Sequence, residues 1–315
     1  MRLATIRNNS RDGALVAISP DASCYAKAPV DTLQQAIEQW ARVESALLAI
    51  EDFPDQLDVT MLAAPLPRAW QWLDGSAFDS HGALMQIAFK LAPIETELPL
   101  MYQGVSDKFY GPFDDIPFRS EADGIDFEGE FGVIVNEVPM GTQPAEAMRH
   151  IRLIVQINDW SLRAIAPMEM KTGFGWIQAK PPCSMAPFAV TPDELGDAWQ
   201  DGRVRLPLLV DWNGSRFGQA DGGEMAYGFH ELVAHAARTR TLVAGTIIGS
   251  GTVSNANYRE IGSSCISERR AIEQLDLGAP TTGFMKFGDE VRMEARLPCG
   301  TPIFGTIWQK VVRSV

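Results

Sequence analysis

Along this chain, apolar residues alternate with polar ones in short runs far more often than they recur at helical spacing. "MRLATIR" and "GALVAIS" read as a strand pair around the turn "NNSRDG". "DTLQQAIEQWARVESALLAI" then changes period. Leu33, Ile37, Trp40, Val43, Leu47 and Ile50 recur three or four apart, which predicts a helix over 31–50 opened by a capping box of Asp31 with Gln34. The prolines of "LAAPLPRAW" (62–70) predict a linker into a larger body. There the two-residue period dominates. Val204, Leu206, Leu208 and Val210 alternate up to Asn213-Gly214, a hairpin turn, and the tail "KFGDEVRMEARLPCGTPIFGTIWQKVV" reads as strands turning at Gly288-Asp289 and Cys299-Gly300. Helices are expected at 143–150 and 229–239. The predicted fold class is α+β: a strand-rich body of mixed β-sheet over 66–315, preceded by a small α+β region over 1–65.

One stretch strains this pattern. In "DFEGEFGVIVNE" (126–137), Phe127, Phe131, Val133 and Val135 form one face of a strand, and Glu128, Glu130 and Ile134 the other. A solvated polar face would explain the two glutamates. If that face is buried, their repulsion requires a proton or a cation. Asp159 closes the apolar run Leu153–Ile157, as a cap of the next element or as a further ligand. Asp74 lies seven residues before His81 in "WLDGSAFDSH". Oxygen ligands from separate strands suit Mg²⁺ or Ca²⁺, and no Cys–His spacing of the zinc kind occurs. Among the histidines, His81 is the candidate base, in a loop-like stretch with Gly and Ser. His230 and His235, five apart on a predicted helix, point in different directions and cannot share a metal, and His150 reads as a surface or capping residue.

Composition narrows the function classes. The 315 residues are 46% hydrophobic and 21% charged, enough for a sizeable core, and the net charge of −13 argues against nucleic acid as a partner. The same surplus of carboxylates is compatible with a bound cation. No run of about 18 apolar residues and no apolar leader occurs, so no membrane association is expected and the expected compartment is the cytoplasm. Four scattered cysteines (Cys24, Cys183, Cys265, Cys299) read as free thiols in a reducing compartment.

Taken in order, "DGSAFDSH", "PLMYQGVSD", "FEGEFGVIV", "NDWSLR", "QAKPP" and "GSGTVS" resemble the fumarylacetoacetate hydrolase family, most of all its bacterial fumarylacetoacetases. The resemblance covers about 65–310, and the first seventy residues resemble the small N-terminal region of those proteins. It implies the family's β-roll body. It also implies a divalent cation, Mg²⁺ or Ca²⁺ with Mn²⁺ as a further candidate, held by Glu128, Glu130 and Asp159, with Asp74 as the upstream ligand of longer members. His81 is then the general base, oriented by a glutamate beyond the G-T-x-S motif. Glu268 is the nearest, two residues farther from Thr252 than the family pattern. Lys180 is implied to stabilise the reacting oxygen and the departing carbanion, Tyr102 and Thr252 to contact substrate, and Arg163 to stand behind them. Lys90 occupies the place of a substrate-binding Arg in animal enzymes. Ala166 and Met170 occupy the places of a substrate-binding Gln and Tyr. The implied activity is hydrolysis of a C–C bond in a small-molecule 1,3-diketo acid, foremost fumarylacetoacetate to fumarate and acetoacetate. Acylpyruvate or fumarylpyruvate hydrolysis, or oxaloacetate decarboxylase, hydratase or isomerase chemistry, are the alternatives on this scaffold. A homodimer is expected.

Overall fold

The computed structural model describes residues 1–89, 92 and 96–314. The glutamate-bearing strand spans Gly129–Val135 and lies in the middle of an eleven-stranded sheet. It runs antiparallel to Ile151–Asn158 on one side and to Thr246–Gly249 on the other. Thr246–Gly249 is parallel to Trp72–Gly75, which pairs with the edge strand Met101–Gly104. In the other direction the sheet continues through Ala189–Val190 to Arg2–Ile6, Ala14–Ile18, Cys24–Lys27 and Asp55–Gln56. The N-terminal region is therefore hydrogen-bonded into the body, Arg2 opposite Val190. Residues 63–71, where the division between the two was expected, carry neither helix nor strand.

A second sheet of five strands orders Ser215–Asp221, Pro207–Trp212, Glu290–Arg296, Pro302–Arg313 and Ile116–Phe118. Its first two strands meet at Asn213-Gly214, both at positive φ (50° and 76°), as a two-residue turn of the hairpin-favouring kind requires. The sheets enclose the main core. Phe127, Phe131, Val133 and Val135 face Leu208, Val210, Met293, Phe304 and Ile307, with the Phe131 and Phe304 rings 5.8 Å apart. Each such side chain contributes about 1.5–3 kcal/mol on burial. On the opposite face, Ile134 packs in a second core with Leu33, Ile37, Trp40, Val43 and Leu47 of the N-terminal helices.

Several expectations need correcting. The helix expected over 31–50 is two, Leu33–Glu38 and Trp40–Leu48, broken at Gln39. Its cap is Thr32, one residue later than expected, whose Oγ1 accepts from Gln35 N at 3.2 Å; the Gln35 side chain accepts from Asp31 N, so the reciprocal bond of a capping box is not made to the cap's own amide. The helix expected at 143–150 is a short turn Pro144–Ala147 followed by a 3₁₀ turn Met148–His150, and that at 229–239 ends at Ala236. Among the described residues four α-helices escape the periodicity: Asp79–Phe89, Ala166–Thr172, the short Tyr258–Ile261 and Ile266–Leu277. Ile266–Leu277 buries only a narrow face (Ile266, Ala271 and Ile272 with Ser267 and Glu268), too little apolar pattern to announce a helix. Among the described residues no helix is long and apolar enough to cross a membrane.

Candidate metal centre and active site

Register places the carboxylates. Gly129 lies opposite Asn158 and Glu130 opposite Ile157, so Asp159, two residues past Ile157, reaches the face that carries Glu128 and Glu130. Its amide donates to the Glu128 carbonyl at 2.9 Å. Across the sheet, Gly132, Gly249 and Asp74 form one row on that same face. Gly249 is required there: a Cβ would collide with Asp74 Oδ1 and the Trp72 ring. Far along the face the N-terminal helices cover Ile134, and at the near end the carboxylates close the floor of a cavity of about 320 Å³.

Asp74, Glu130 and Asp159 are all buried, and one ligand oxygen of each lies within 4.8 Å of the others. Asp159 is well supplied with donors: Tyr102 Oη at 2.6 Å and Lys180 Nζ on Oδ2, Cys183 Sγ at 3.0 Å on Oδ1. Asp74 Oδ1 accepts from Gly251 N at 3.0 Å. Among the described residues, neither oxygen of Glu130 accepts a hydrogen bond from a donor group. Burial, then Asp74 and Asp159, push its carboxyl well above the ordinary range, and burial and Asp159 do the same to Asp74. An all-oxygen set of three carboxylates, one wholly without donors, fits a hard divalent cation.

Glu128 belongs to a different cluster. Its oxygens accept from Arg163 Nη2, Thr252 Oγ1 (2.9 Å), Ser161 Oγ (3.0 Å) and Lys180 Nζ. Burial alone would raise its pKa. Arg163, Lys180 and His81 outweigh that and hold it well below the usual range. Of the four anticipated ligands, three are thus grouped, and Glu128 stands beside them neutralised by protein cations. Lys180 bridges both sets. Burial opposes its charge, but Asp159 and Glu128 raise its pKa, so it is held as the ammonium.

His81 lies in the first turn of the helix Asp79–Phe89, not in a loop as expected. Its Nδ1 is 2.8 Å from Oε1 of the fully buried Glu268, and its Nε2 is 3.9 Å from Glu128 Oε1. Glu268 sits in the first turn of Ile266–Leu277. That helix start is pinned by Asp126, which accepts from the amides of Ile266 (2.7 Å) and Ser267 (3.0 Å) and from Arg163 Nε (2.8 Å). The chain from Thr252 to Glu268 includes a short helix Tyr258–Ile261, which accommodates the longer spacing. Tyr102 and Thr252 both line the cavity, as do Ala166 and Met170. Burial, then Asp159 and Asp74, push the Tyr102 phenol well up, so it remains a donor. Lys90 lies outside the described residues. His150, His230 and His235 are not part of the cavity lining.

Four contributors went unread in the sequence. Asp126 was visible as the third carboxylate of the alternation Asp126–Glu128–Glu130, and Ser161 as the serine of "NDWS". Nothing distinguished Cys183 as a donor to Asp159. Trp176, edge-on to Tyr102 at 6.1 Å, lies just before "QAKPP" but outside the motif itself.

Two family descriptions cover nearly the whole chain: "Fumarylacetoacetate (FAA) hydrolase C-terminal" matches residues 71–312, and "Fumarylacetoacetase N-terminal domain 2" residues 1–68. The chain belongs to the fumarylacetoacetate hydrolase family. A family member, 2,4-didehydro-3-deoxy-L-rhamnonate hydrolase of Sphingomonas sp. (strain SKA58), is 29% identical over 51% of this chain and 54% of its own. A mitochondrial oxaloacetate tautomerase of Rattus norvegicus is 24% identical over 49% of this chain and 48% of its own. The chain thus aligns with about half the length of these relatives. The crystal structure of maleylpyruvate hydrolase from Sphingobium sp. SYK-6 with manganese(II) and pyruvate shares the fold, with TM-score 0.69 and 15% identity over the whole of both chains.

Proposed function

We propose that this family member is a divalent-cation-dependent hydrolase that cleaves a C–C bond of a 1,3-diketo acid. Fumarylacetoacetate and the acylpyruvates are the substrates to test first. The observation that carries the reading is the pairing of His81 with a buried Glu268, beside three clustered carboxylates at one cavity.

Asp74, Glu130 and Asp159 would hold Mg²⁺, Ca²⁺ or Mn²⁺, with Glu128 alongside. A bound cation would polarise the keto and carboxylate oxygens of the substrate and fix its orientation. Mn²⁺ gains support from the manganese in the maleylpyruvate hydrolase structure. His81 takes a proton from water on Nε2, while Glu268 holds the ring from Nδ1 and balances the imidazolium. Hydroxide adds to the carbonyl carbon at the bond to be cut. The Lys180 ammonium stabilises the oxyanion, an effect typically worth about 3–4 kcal/mol. On collapse the C–C bonding pair leaves with the departing carbon, which takes back the proton from His81. For fumarylacetoacetate this yields fumarate and acetoacetate.

A second reading has its own support. One relative is named an oxaloacetate tautomerase, and tautomerisation moves a proton on a keto acid with a base but no attacking water. Loss of the enol absorbance of fumarylacetoacetate and of butanoylpyruvate, with added Mg²⁺ or Mn²⁺ and after chelation, tests both. Metal-dependent hydrolysis of either supports the proposal. Interconversion of oxaloacetate tautomers without cleavage of any diketo acid would replace it with the tautomerase reading. Cleavage untouched by thorough chelation would remove the metal from the account.

A further inference from the structure

Lys180 follows a stretch of chain that packing does little to hold. Residues 173–183 carry neither helix nor strand. The turn out of the helix Ala166–Thr172 runs through Gly173 and Gly175, both at positive φ (71° and 98°). Beyond it, Phe174 is 97% exposed and Ile177 85%. Yet the Lys180 ammonium has to stand between two buried carboxylates, Glu128 and Asp159. Backbone amides outside helix and sheet need acceptors from elsewhere, and whatever supplies them fixes the stretch.

Glu169 supplies them. Its Oε1 accepts from Ile177 N at 3.1 Å and Gln178 N at 2.9 Å. Its Oε2 accepts from Ile177 N at 3.2 Å and Ala179 N at 3.0 Å. Three consecutive amides thus converge on one carboxylate, and hydrogen bonds to an ionised acceptor are roughly twice as strong as neutral ones. Burial alone would raise its pKa. The amides of Ala179, Gln178 and Ile177 outweigh that and hold it below the ordinary range, so the group stays charged. Ala179 is fixed on its other side as well, its carbonyl accepting from Leu162 N at 2.8 Å. Lys180 is the next residue. Glu169 itself stands outside the cavity lining, on the helix whose Ala166 and Met170 belong to it.

We propose that Glu169 is a positioning residue: its carboxylate clasps the backbone of 177–179 and thereby sets where the Lys180 ammonium stands between Glu128 and Asp159. The same clasp holds Trp176, edge-on to Tyr102, at the cavity wall. The catalytic part of the proposal rests on the oxyanion role given to Lys180 above. A donor of that kind acts only when aimed at the place where charge develops, so displacing it lowers turnover more than substrate binding.

Glu169→Ala removes all three acceptor contacts, and Glu169→Gln keeps one acceptor oxygen without the charge. Hydrogen exchange read by mass spectrometry over 176–180 measures the clasp. Acetylation of Lys180 by acetic anhydride, relative to the exposed Lys286, measures how well the lysine is held in its buried place. Neither needs a substrate. In Glu169→Ala, exchange and Lys180 acetylation are each expected to rise at least about tenfold, with the urea midpoint unchanged. The value of kcat is expected to fall roughly 10- to 100-fold, with KM within about twofold of wild type. Glu169→Gln should lie between the two. Unchanged exchange in Glu169→Ala, or a urea midpoint that falls in step with kcat, would overturn the proposal. So would faster exchange with Lys180 still shielded, which would make Glu169 a loop anchor only. An exposed Lys180 with kcat intact would instead overturn the oxyanion role on which the catalytic part rests. If the wild-type protein cleaves no diketo acid, the hydrolase reading fails by itself, and exchange and acetylation still decide whether Glu169 places Lys180.

Discussion

Glu130→Gln separates the charge of the metal centre from its shape. The amide is nearly isosteric, so the change removes one negative charge from a site where both oxygens are buried and lack donors among the described residues. Asp74 and Asp159 lie within 4.8 Å of it. At an effective dielectric of about 20, unit charges that close repel by at least roughly 3.5 kcal/mol per pair. Without a cation, the favourable state of Glu130 is therefore protonated, its pKa raised by burial and then by those two neighbours. The sign comes from linkage. A carboxyl with a raised folded-state pKa contributes stability that is full below the unfolded value of about 4.3 and is lost as pH rises through the raised value. Gln carries no such loss. Cation-free Glu130→Gln is thus expected to match or exceed cation-free wild type at about pH 8, with the advantage shrinking toward about pH 5. Added cation reverses the order, since binding at about 100 times Kd stabilises wild type by about 2.7 kcal/mol and leaves the variant unchanged. Urea unfolding across that pH range, with and without Mn²⁺, reads both effects. A cation-free variant clearly less stable than wild type at the alkaline end, or one stabilised equally by Mn²⁺, would refute the electrostatic account of this cluster.

Other expectations are simpler to test. His81→Ala should retain Mn²⁺ affinity by titration, because His81 lies outside the three-carboxylate group, and lose roughly 10²- to 10⁴-fold in kcat; full activity would end its role as base. Glu268→Gln keeps an oxygen near His81 Nδ1 but removes the charge that balances the imidazolium, so kcat should fall with KM little changed. Arg163→Met strips Asp126 and Glu128 of a buried partner and should cost about 3–5 kcal/mol in urea unfolding. Wild-type Glu128, with its lowered pKa, contributes stability present above the ordinary carboxylate value and lost as pH falls through the lowered one. In Arg163→Met the acid loss should therefore begin at higher pH.

The parts of this molecule that could be read from sequence were those with a short period. The alternation through Phe127, Phe131, Val133 and Val135 is the pattern of a strand covered by a second sheet, and Ile134 lies on the other face among the N-terminal helices. Asn213-Gly214 carried its turn in its own φ preferences. Ile266–Leu277 was hidden because its buried face is narrow and includes Ser267 and Glu268. His81 looked like a loop residue because Gly and Ser surround it, although the helix starts just before it. Grouping the carboxylates needed register across three strand neighbours, which no local pattern contains. In sequence, Glu128 and Glu130 are equivalents. The tertiary structure gives Arg163 and Lys180 to one of them and, among the described residues, no donor to the other.

The most direct test of the central claim is an anomalous difference map from a crystal of the protein soaked in Mn²⁺. The account predicts a single strong peak bounded by the carboxylates of Asp74, Glu130 and Asp159. A peak instead among His81, Cys265 and Glu268, the other group of closely spaced ligand atoms among the described residues, or no peak near Glu130 at saturating Mn²⁺, would contradict it.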